Sequence, residues 1–191
     1  MTRHSETLPA EYFERRYREN IDPWDVRSSA YEREKYDATV AALTRPTYPR
    51  VLEVGCSIGV LTAKLSQRSG RLLAIDASQT AIDAARGSAP TNVTFEKRVL
   101  PGDFPKGPFD LIVLSEVLYY FSEADLGFVA DRCCEALAPD GEMVLCHWLG
   151  ETDYPLTGHQ ASDIFAAATV KRAPFRRILR DEVYRLETLS S

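Results

Sequence analysis

Residues 50–59 read Arg-Val-Leu-Glu-Val-Gly-Cys-Ser-Ile-Gly, an apolar run that leads directly into a loop with two glycines. The run 50–54 predicts a short buried strand, and Leu61 and Leu65 lie on one face of the helix predicted after the loop. Glycine permits the sharp turn and the close ligand approach that such a loop needs. A strand, a glycine loop and a helix in this order are typical of the ligand-binding unit of doubly wound sheets.

Strands and helices alternate along the rest of the chain. Ser78 and Ser122 are predicted to cap two helices. The second of these is predicted to run through Leu137, after which Pro-Asp-Gly at 139–141 turns into a strand. The predicted strands are 50–54, 71–75, 92–97, 109–114, 142–147, 176–179 and 183–189, and a weaker helix is predicted at 160–168. This order predicts an α/β fold: a Rossmann-like, doubly wound, seven-stranded sheet that is mostly parallel, with an antiparallel C-terminal strand.

A helical arm or lid is predicted in front of this core. Residues 1–8 are predicted to be frayed. Aromatic residues at helical spacing, Tyr12, Phe13 and Tyr17, predict a helix at 9–18. Ser28 or Ser29 is predicted to cap a second helix that runs to about Thr44.

Length and composition fit one globular domain. The chain has 191 residues, of which 45% are hydrophobic and 27% charged. We therefore expect a single domain at 1–191, with the helical arm at 1–45 and the Rossmann-like core at 46–191. Lys and Arg number 23 and Asp and Glu 28, giving a net charge of −5. This acidic balance disfavours nucleic acid as a partner.

Signals for a membrane, for export and for a metal are missing from the sequence. No apolar run approaches the roughly 18 residues that cross a bilayer, and the polar N-terminus lacks a hydrophobic signal-peptide stretch. We therefore expect a cytoplasmic protein with no membrane partner. The four cysteines include no CxxC pair. We expect inert, reduced thiols and no metal site.

Two carboxylates flank the glycine loop and indicate what it binds. Glu53 precedes the loop, and Asp76 ends the next predicted strand, where a carboxylate can accept hydrogen bonds from ribose hydroxyls. Asp76 also suits the start of the helix capped by Ser78, so a purely structural role stays open. The loop reads G-x-x-x-G, whereas dinucleotide loops read G-x-G-x-x-G and bind a pyrophosphate. Because a nearby carboxylate suits a cation, the pattern favours the sulfonium S-adenosylmethionine over NAD.

Two motifs resemble a known family. Residues 51–59 are similar to the first motif of class I S-adenosylmethionine-dependent methyltransferases, and residues 109–120 resemble their fourth-strand motif. More narrowly, the chain resembles the nodulation protein S (NodS) family of N-methyltransferases at residues 22–24, 53–56 and 115–120. That family methylates an amine of a deacetylated chitooligosaccharide.

The resemblance implies the class I methyltransferase fold, S-adenosylmethionine as cofactor and a small-molecule acceptor. N-methylation of an amino sugar or a chitooligosaccharide-like amine is the leading expectation. Two alternatives stay open: O-methylation of a natural product, and binding of S-adenosylmethionine without catalysis. We expect a monomer or a weak dimer.

The resemblance also implies roles for individual residues. Those expected to line the methionine part of the cofactor are Glu53, Gly55, Cys56, Ser57 and Gly59. Asp76 would hold the ribose, Ala77 would lie beside the adenine, and Ser115 would stand near the transferable methyl group. The family often has an Asp after the third strand, where this chain has Val99. Backbone groups of Val99 or Leu100 are therefore expected to meet the adenine.

The arm contributes three further cofactor-binding candidates. Tyr31 and Lys35 are one helical turn apart, so an ammonium beside an aromatic ring would cover the pocket and pair with the methionine carboxylate. The alternative is a solvated Lys35 whose stem packs on Tyr31. Trp24 is expected to be a lid over the cofactor or a buried anchor of the arm.

Catalytic candidates follow the fourth and fifth strands, where ligands of such sheets bind. His147 is the candidate base, which a hydroxyl acceptor would need and a neutral amine would not. The alternative is a structural His147 that is hydrogen-bonded in the loop. Glu116 would accept a hydrogen bond from the acceptor or orient the cofactor amine. Tyr119, with Tyr120, would form a platform for a flat or apolar face, and the alternative is that the two belong to the core and the lid. The segment 150–159 is expected to border the acceptor site, and its candidates are Asp153, Tyr154 and His159.

Overall fold

The computed structural model of the chain describes residues 3–87 and 89–190. Its seven strands are β1 (Tyr48–Val54), β2 (Ser69–Asp76), β3 (Val93–Lys97), β4 (Phe109–Ser115), β5 (Leu137–Trp148), β6 (Phe175–Asp181) and β7 (Tyr184–Ser190). They form one sheet in the order β3-β2-β1-β4-β5-β7-β6. β1 to β5 are parallel, and β7 runs antiparallel to both of its neighbours. The predicted α/β, Rossmann-like, seven-stranded fold of class I methyltransferases is confirmed.

Helices cover both faces of this sheet because its central strands are apolar on both sides. Leu111 and Val113 of β4 pack into one core and Ile112 and Leu114 into another, and all of them are fully buried. The helices are α1 (Ala10–Glu19), α2 (Ala30–Ala41), α3 (Val60–Ser66), α4 (Gln79–Arg86), α5 (Glu123–Ala136) and α6 (Gly158–Thr169). A short 3-10 turn at Leu118–Tyr120 follows β4. No helix of the described residues has the length and apolarity to cross a membrane.

Serine caps begin three of the helices, as the sequence predicts. The hydroxyl oxygens of Ser29, Ser78 and Ser122 accept hydrogen bonds from backbone N–H groups in the first turns of α2, α4 and α5. Thr157 and Gln160 form a capping box that starts α6 at Gly158, before the predicted residue 160. Local hydrogen bonding therefore fixes where these helices begin.

The boundary between α5 and β5 differs from the sequence prediction. Leu137, predicted as the end of the helical stripe, is already paired with Phe109 of β4, and residues 139–141 do not break the strand. Phe109 pairs with Leu137, whereas Leu111 pairs with Glu142. The residues of the predicted turn therefore form an irregularity within the strand. The Arg172 guanidinium donates to the carbonyl oxygens of Leu137 and Ala138, which supports this irregular segment.

The described part of the N-terminal segment is not frayed. The Leu8 side chain is buried, and its backbone N–H donates to the Tyr120 carbonyl at 2.9 Å. The His4 N–H donates to the Asp153 carbonyl at 2.8 Å. Met1 and Thr2 of the predicted frayed segment, and Ser191 of the predicted domain, lie outside the described residues. This segment is ordered because the Leu8 side chain packs into the core. Its polar composition gave no sign of that contact.

Candidate active site

A cavity of about 300 Å³ lies at the carboxyl ends of β1, β2 and β4. These strands are neighbours in register: Val54 of β1 pairs with Ile75 of β2 and Leu114 of β4. Parallel neighbours end at the same edge, so the loops after them share one wall. The arm forms much of the remaining wall, through residues between Thr7 and Tyr36.

The glycine loop turns sharply beneath this cavity. Gly55, Ser57 and Gly59 all have positive φ angles, of 76°, 52° and 84°. A Cβ built on Gly55 would come within 3.2 Å of the Val117 side chain, so this position is also tight. Ser57 adopts the left-handed conformation without being glycine. Its side-chain oxygen accepts from the Tyr17 hydroxyl of α1 at 2.7 Å, so the arm contacts the loop directly.

Asp76 ties the loop to the end of β2. Its two oxygens accept from the N–H groups of Ser57 and Ser78, each at 2.9 Å. Burial raises the pKa of Asp76 to about 6, and these N–H donors limit the rise. Each carboxylate oxygen has a second lone pair. Asp76 can therefore position the loop and still accept from a ligand in the cavity.

Glu53 also lines the cavity, and part of its hydrogen-bonding capacity is unused. It is almost fully buried, and its Oε2 has no hydrogen-bond partner among the described residues. Burial raises its pKa to about 8. A cationic ligand would stabilise the ionised form, because an opposite charge nearby lowers the pKa of a carboxyl group.

Lys35 of α2 is buried in a cluster of opposite charges that also lines the cavity. Its Nζ lies 2.7 Å from Glu32 Oε1 and 2.6 Å from Glu116 Oε1. The ammonium also lies 5.0 Å from the centre of the Tyr31 ring, whose hydroxyl is buried and without a partner among the described residues. Lys35 is only 1% exposed. The solvated alternative for Lys35 is therefore wrong, and its ammonium is already engaged by two carboxylates.

Glu116 has a positive φ of 56°, a conformation that the sequence does not indicate because the residue is not glycine. Its Oε2 accepts from the Tyr119 hydroxyl and, at 3.1 Å, from the Trp148 backbone N–H. Burial by itself would raise the pKa of Glu116, but Lys35 beside it brings the pKa below its usual value. Glu116 is therefore an ionised acceptor that organises its neighbours, with little capacity to take up a proton.

His147 is not among the residues that line the cavity. Its ring is completely buried, and Nε2 accepts from the Leu118 N–H at 3.1 Å. Burial lowers the pKa of His147 to about 4, so the ring is neutral near physiological pH. The expectation that His147 projects from the strand end as a base for the acceptor needs correction. The structure gives it a supporting position behind the Tyr119 ring, whose centre lies 5.4 Å away.

Aromatic rings from the arm and from the segments after β4 and β5 form much of the cavity wall. Tyr119 stacks on Tyr154 at 5.3 Å between ring centres, and Tyr120 packs edge-on against Phe13 of α1 at 4.9 Å. Trp24 packs edge-on against Tyr17 at 5.5 Å. Phe13 and Tyr17 belong to the aromatic face of the first predicted helix, which was the only sequence signal for their part in the site.

Most of the predicted site residues come together around the cavity. Its lining includes Trp24, Tyr31, Lys35, Glu53, Gly55, Cys56, Ser57, Asp76, Ala77, Val99, Leu100, Ser115, Glu116, Tyr119 and Tyr154. Gly59 is outside the lining, at the start of α3, where a Cβ would meet Ala85 at 3.2 Å. Asp153 and His159 also lie elsewhere, beside His4 and Asp181 respectively.

Family and curated relatives agree with the motif resemblance. The model of the family "Nodulation protein S (NodS)" matches residues 10–151. Nodulation protein S of Rhizobium tropici is 32% identical over 127 residues, which cover 64% of this chain and 53% of the relative. Ubiquinone biosynthesis O-methyltransferase of Bradyrhizobium diazoefficiens is 29% identical over 114 residues, covering 58% of this chain and 44% of that protein. The chain spans about half the length of these curated relatives.

Solved structures agree in fold. A putative methyltransferase from Pseudomonas syringae is 33% identical, with a TM-score of 0.73 over 85% of this chain and 100% of that one. The N-methyltransferase NodS of Bradyrhizobium japonicum WM9, solved with S-adenosyl-L-homocysteine, has a TM-score of 0.78 at 21% identity. That match covers 96% of this chain and 99% of the other. The motif-based resemblance is confirmed: the chain belongs to the nodulation protein S family.

Proposed function

We propose that this protein transfers a methyl group from S-adenosylmethionine to the nitrogen of a small amine, with an amino sugar as the leading acceptor. The observation that carries the proposal is the set of unpartnered polar atoms on the cavity wall. Glu53 Oε2, Tyr31 Oη and Ser115 Oγ are buried and have no hydrogen-bond partner among the described residues. Because buried polar groups are normally paired, these atoms support a polar ligand in the cavity.

The residues present fit S-adenosylmethionine as that ligand. Glu53 suits the methionine ammonium, since a buried carboxylate gains most from a cation. Asp76 has lone pairs left for the ribose hydroxyls. Val99 and Leu100 lie on the cavity wall after β3 and offer backbone and apolar contacts to the adenine. The carboxylates at the glycine loop suit this ligand better than the diphosphate of NAD.

When bound, S-adenosylmethionine supplies a methyl carbon that a nucleophile can displace from a positively charged sulfur. The residues of this chain then have to hold the acceptor nitrogen in line with that carbon and keep water away. The aromatic wall of Tyr119, Tyr120 and Tyr154 suits both tasks, since its rings pack against one another around the cavity. Catalysis of this kind depends on positioning more than on proton transfer.

The state of Glu116 and His147 favours an amine over a hydroxyl as acceptor. A hydroxyl profits from a base with a pKa near neutrality, whereas an unprotonated amine attacks without one. Glu116 has a lowered pKa and three hydrogen-bond donors around it. His147 has a pKa of about 4 and does not line the cavity. The carboxyl groups with pKa values nearer neutrality, Glu53 and Asp76, belong to the proposed cofactor end.

A transfer assay with labelled S-adenosylmethionine tests the proposal. D-glucosamine and a deacetylated chitobiose are offered beside N-acetylglucosamine, whose nitrogen is blocked. We expect label on the free amines only, identified as N-methyl by mass spectrometry. Binding of S-adenosylhomocysteine without transfer to any acceptor would favour a protein that binds the cofactor without catalysis.

O-methylation of a natural product is the second candidate, and the similarity to ubiquinone biosynthesis O-methyltransferases favours it. Label on a hydroxyl oxygen in a panel of phenols and sugars would support it over the amine proposal. A cytoplasmic location and a monomeric or weakly dimeric state remain predictions that go with either reaction.

A further inference from the structure

Two buried hydroxyl groups on the cavity wall take no part in the proposed cofactor contacts. Ser115 Oγ and Tyr31 Oη both belong to residues that line the cavity, and neither atom has a hydrogen-bond partner among the residues that the structure describes. Ser115 as a whole is only 7% exposed. A buried hydroxyl group without a partner is costly, so the two oxygens indicate a ligand group that forms hydrogen bonds with both.

The two hydroxyl groups lie beyond the cofactor carboxylates along the edge of the sheet. Glu53 and Asp76 belong to β1 and β2. Ser115 ends β4, and Tyr31 of α2 packs edge-on against Tyr184 of β7 at 6.1 Å between ring centres. The strand order β2-β1-β4-β5-β7 therefore places the hydroxyl groups after the carboxylates. A group that reacts with the bound cofactor would meet them there.

A negatively charged cluster adjoins both hydroxyl groups. Glu116 follows Ser115 directly in the chain, and Lys35 lies 2.6 Å from Glu116 Oε1 and 5.0 Å from the centre of the Tyr31 ring. Lys35 also pairs with Glu32 at 2.7 Å, so one ammonium is shared by two carboxylates. This balance favours a ligand group that donates hydrogen bonds from nitrogen over a further anion.

We propose that Tyr31 and Ser115 bind the two N–H groups of the acceptor amine and thereby limit transfer to one methyl group per nitrogen. A primary amine has two N–H donors and one lone pair, so two oxygen acceptors hold both hydrogens and leave the lone pair to face the methyl carbon. The inference rests on the proposed function, because it concerns the nitrogen of the same reaction.

The transfer step needs no base in this arrangement. The nitrogen lone pair forms the new N–C bond, and the electron pair of the S–C bond stays on the sulfur. The product leaves as an N-methylammonium ion, which loses its proton to water outside the cavity. Tyr31 and Ser115 therefore only orient the nitrogen.

A nitrogen that already carries a methyl group has only one N–H group. Its methyl group would lie against one of the two hydroxyl groups and would leave that oxygen buried without a partner. A site built to bind N–H groups rejects a ligand that lacks one of them for this reason. We therefore expect a second transfer to the same nitrogen to be disfavoured.

Transfer to two matched amines tests the inference. They are D-glucosamine and its N-methyl derivative, and mass spectrometry counts the methyl groups of each product. In the parent protein, kcat/KM should be at least about ten-fold higher for D-glucosamine, the effect expected when one buried hydroxyl group stays unpaired. Tyr31→Phe and Ser115→Ala each remove one hydroxyl group. Either variant should reduce this ratio to about three or less and should form dimethylated product.

Two further hydroxyl groups serve as matched controls. The Tyr184 hydroxyl accepts from Arg180, and Ser162 Oγ is buried in α6; both residues are outside the lining of the cavity in the described chain. Tyr184→Phe and Ser162→Ala should keep the ratio of the parent protein. Binding of S-adenosylhomocysteine should stay within about two-fold in every variant, which shows that each one folds.

Three results would overturn the inference. The first is equal transfer to the two amines by the parent protein, and the second is an unchanged ratio in Tyr31→Phe or in Ser115→Ala. The third is a loss of S-adenosylhomocysteine binding of about ten-fold or more in a folded Tyr31→Phe or Ser115→Ala protein, because that loss assigns the hydroxyl group to the cofactor.

The same two amines separate the inference from the proposed function. Equal transfer to both contradicts the inference and leaves the methyltransferase proposal standing. If neither amine is methylated, the proposed reaction fails, and calorimetry on the protein saturated with S-adenosylhomocysteine decides, at a pH at which both amines are largely unprotonated. A preference for D-glucosamine that disappears in Tyr31→Phe supports the inference, and equal binding of the two amines contradicts it.

Discussion

Lys35 of α2 and Glu116 after β4 form an ion pair of 2.6 Å, with the Lys35 side chain almost completely closed off from water. The same Glu116 carboxylate accepts from the Tyr119 hydroxyl and the Trp148 N–H. A single carboxylate thus joins the arm, the aromatic wall and the end of β5. The arm is part of the site rather than a loose cover, because its charge balances this carboxylate.

Replacing Lys35 by methionine should destabilise the protein by about 3 kcal/mol, because it leaves Glu116 and Glu32 without their buried counter-charge. Urea unfolding followed by circular dichroism measures the change. The control is Arg132→Met: Arg132 pairs with Glu135 at 2.6 Å, but the side chains are 55% and 64% exposed. That change should cost less than about 1 kcal/mol. Equal effects of the two substitutions would contradict a structural role for the buried pair.

Binding of S-adenosylhomocysteine should strengthen as the pH rises from about 7 to 8.5. The pKa of Glu53 is about 8 in the free protein, so the group is mostly protonated at pH 7. A bound ammonium favours the ionised form, so binding at pH 7 must release a proton that is already lost at pH 8.5. The gain is at most about ten-fold. Calorimetry in buffers of different ionisation enthalpy measures both affinity and proton release.

Glu53→Gln is the matched variant for this pH dependence. We expect it to bind more weakly and with an affinity that is flat over the same pH range, since the titrating group is gone. An Asp83→Asn variant, on the exposed side of α4, should behave as the parent protein does. A pH dependence that survives in Glu53→Gln would assign the titration to another group.

His147→Gln should retain most of the activity if the acceptor is an amine. His147 is neutral, with a pKa of about 4, and its bond to the Leu118 N–H is one that a glutamine oxygen can replace. We expect less than a ten-fold loss in kcat/KM and an unchanged pH profile above pH 5.5. Loss of a true general base would cost roughly two to four decades. A loss of that size in a folded variant would restore His147 as the base.

The contact between α1 and the start of α4 should weaken below about pH 4. Burial would raise the pKa of Glu14, but hydrogen bonds from Ser78 and Thr80 lower it to about 2. The stabilisation is therefore full above about pH 4.5 and is lost as the pH falls through about 2. Hydrogen exchange of residues 10–19 at pH 3 and pH 6 measures it. Glu14→Gln should show faster exchange at both pH values, and protection equal to the parent protein would contradict the contact.

Much of the fold and of the cofactor end could be predicted because their signals are local. Gly55 and Asp76 stand at fixed places relative to apolar strands, and the serine caps are read from single turns. The pair of Lys35 with Glu116 spans 81 residues, so no local pattern joins the two. The orientation of His147 depends on which face of β5 turns to the core. In a strand that is buried on both faces, polar and apolar residues do not alternate, so the sequence does not reveal that face.

Contacts of α1 with the segments that follow β1, β2 and β4 also affect how fast ligands exchange. Tyr17 is bonded to Ser57, Glu14 is bonded to the start of α4, and Phe13 packs against Tyr120 across the cavity wall. Because α1 carries part of the cavity wall, we expect entry of the donor and departure of the product to depend on how fast α1 loosens these contacts. Where the chemical step is faster than that loosening, we expect the number of catalytic cycles per second to follow the opening rate of the arm.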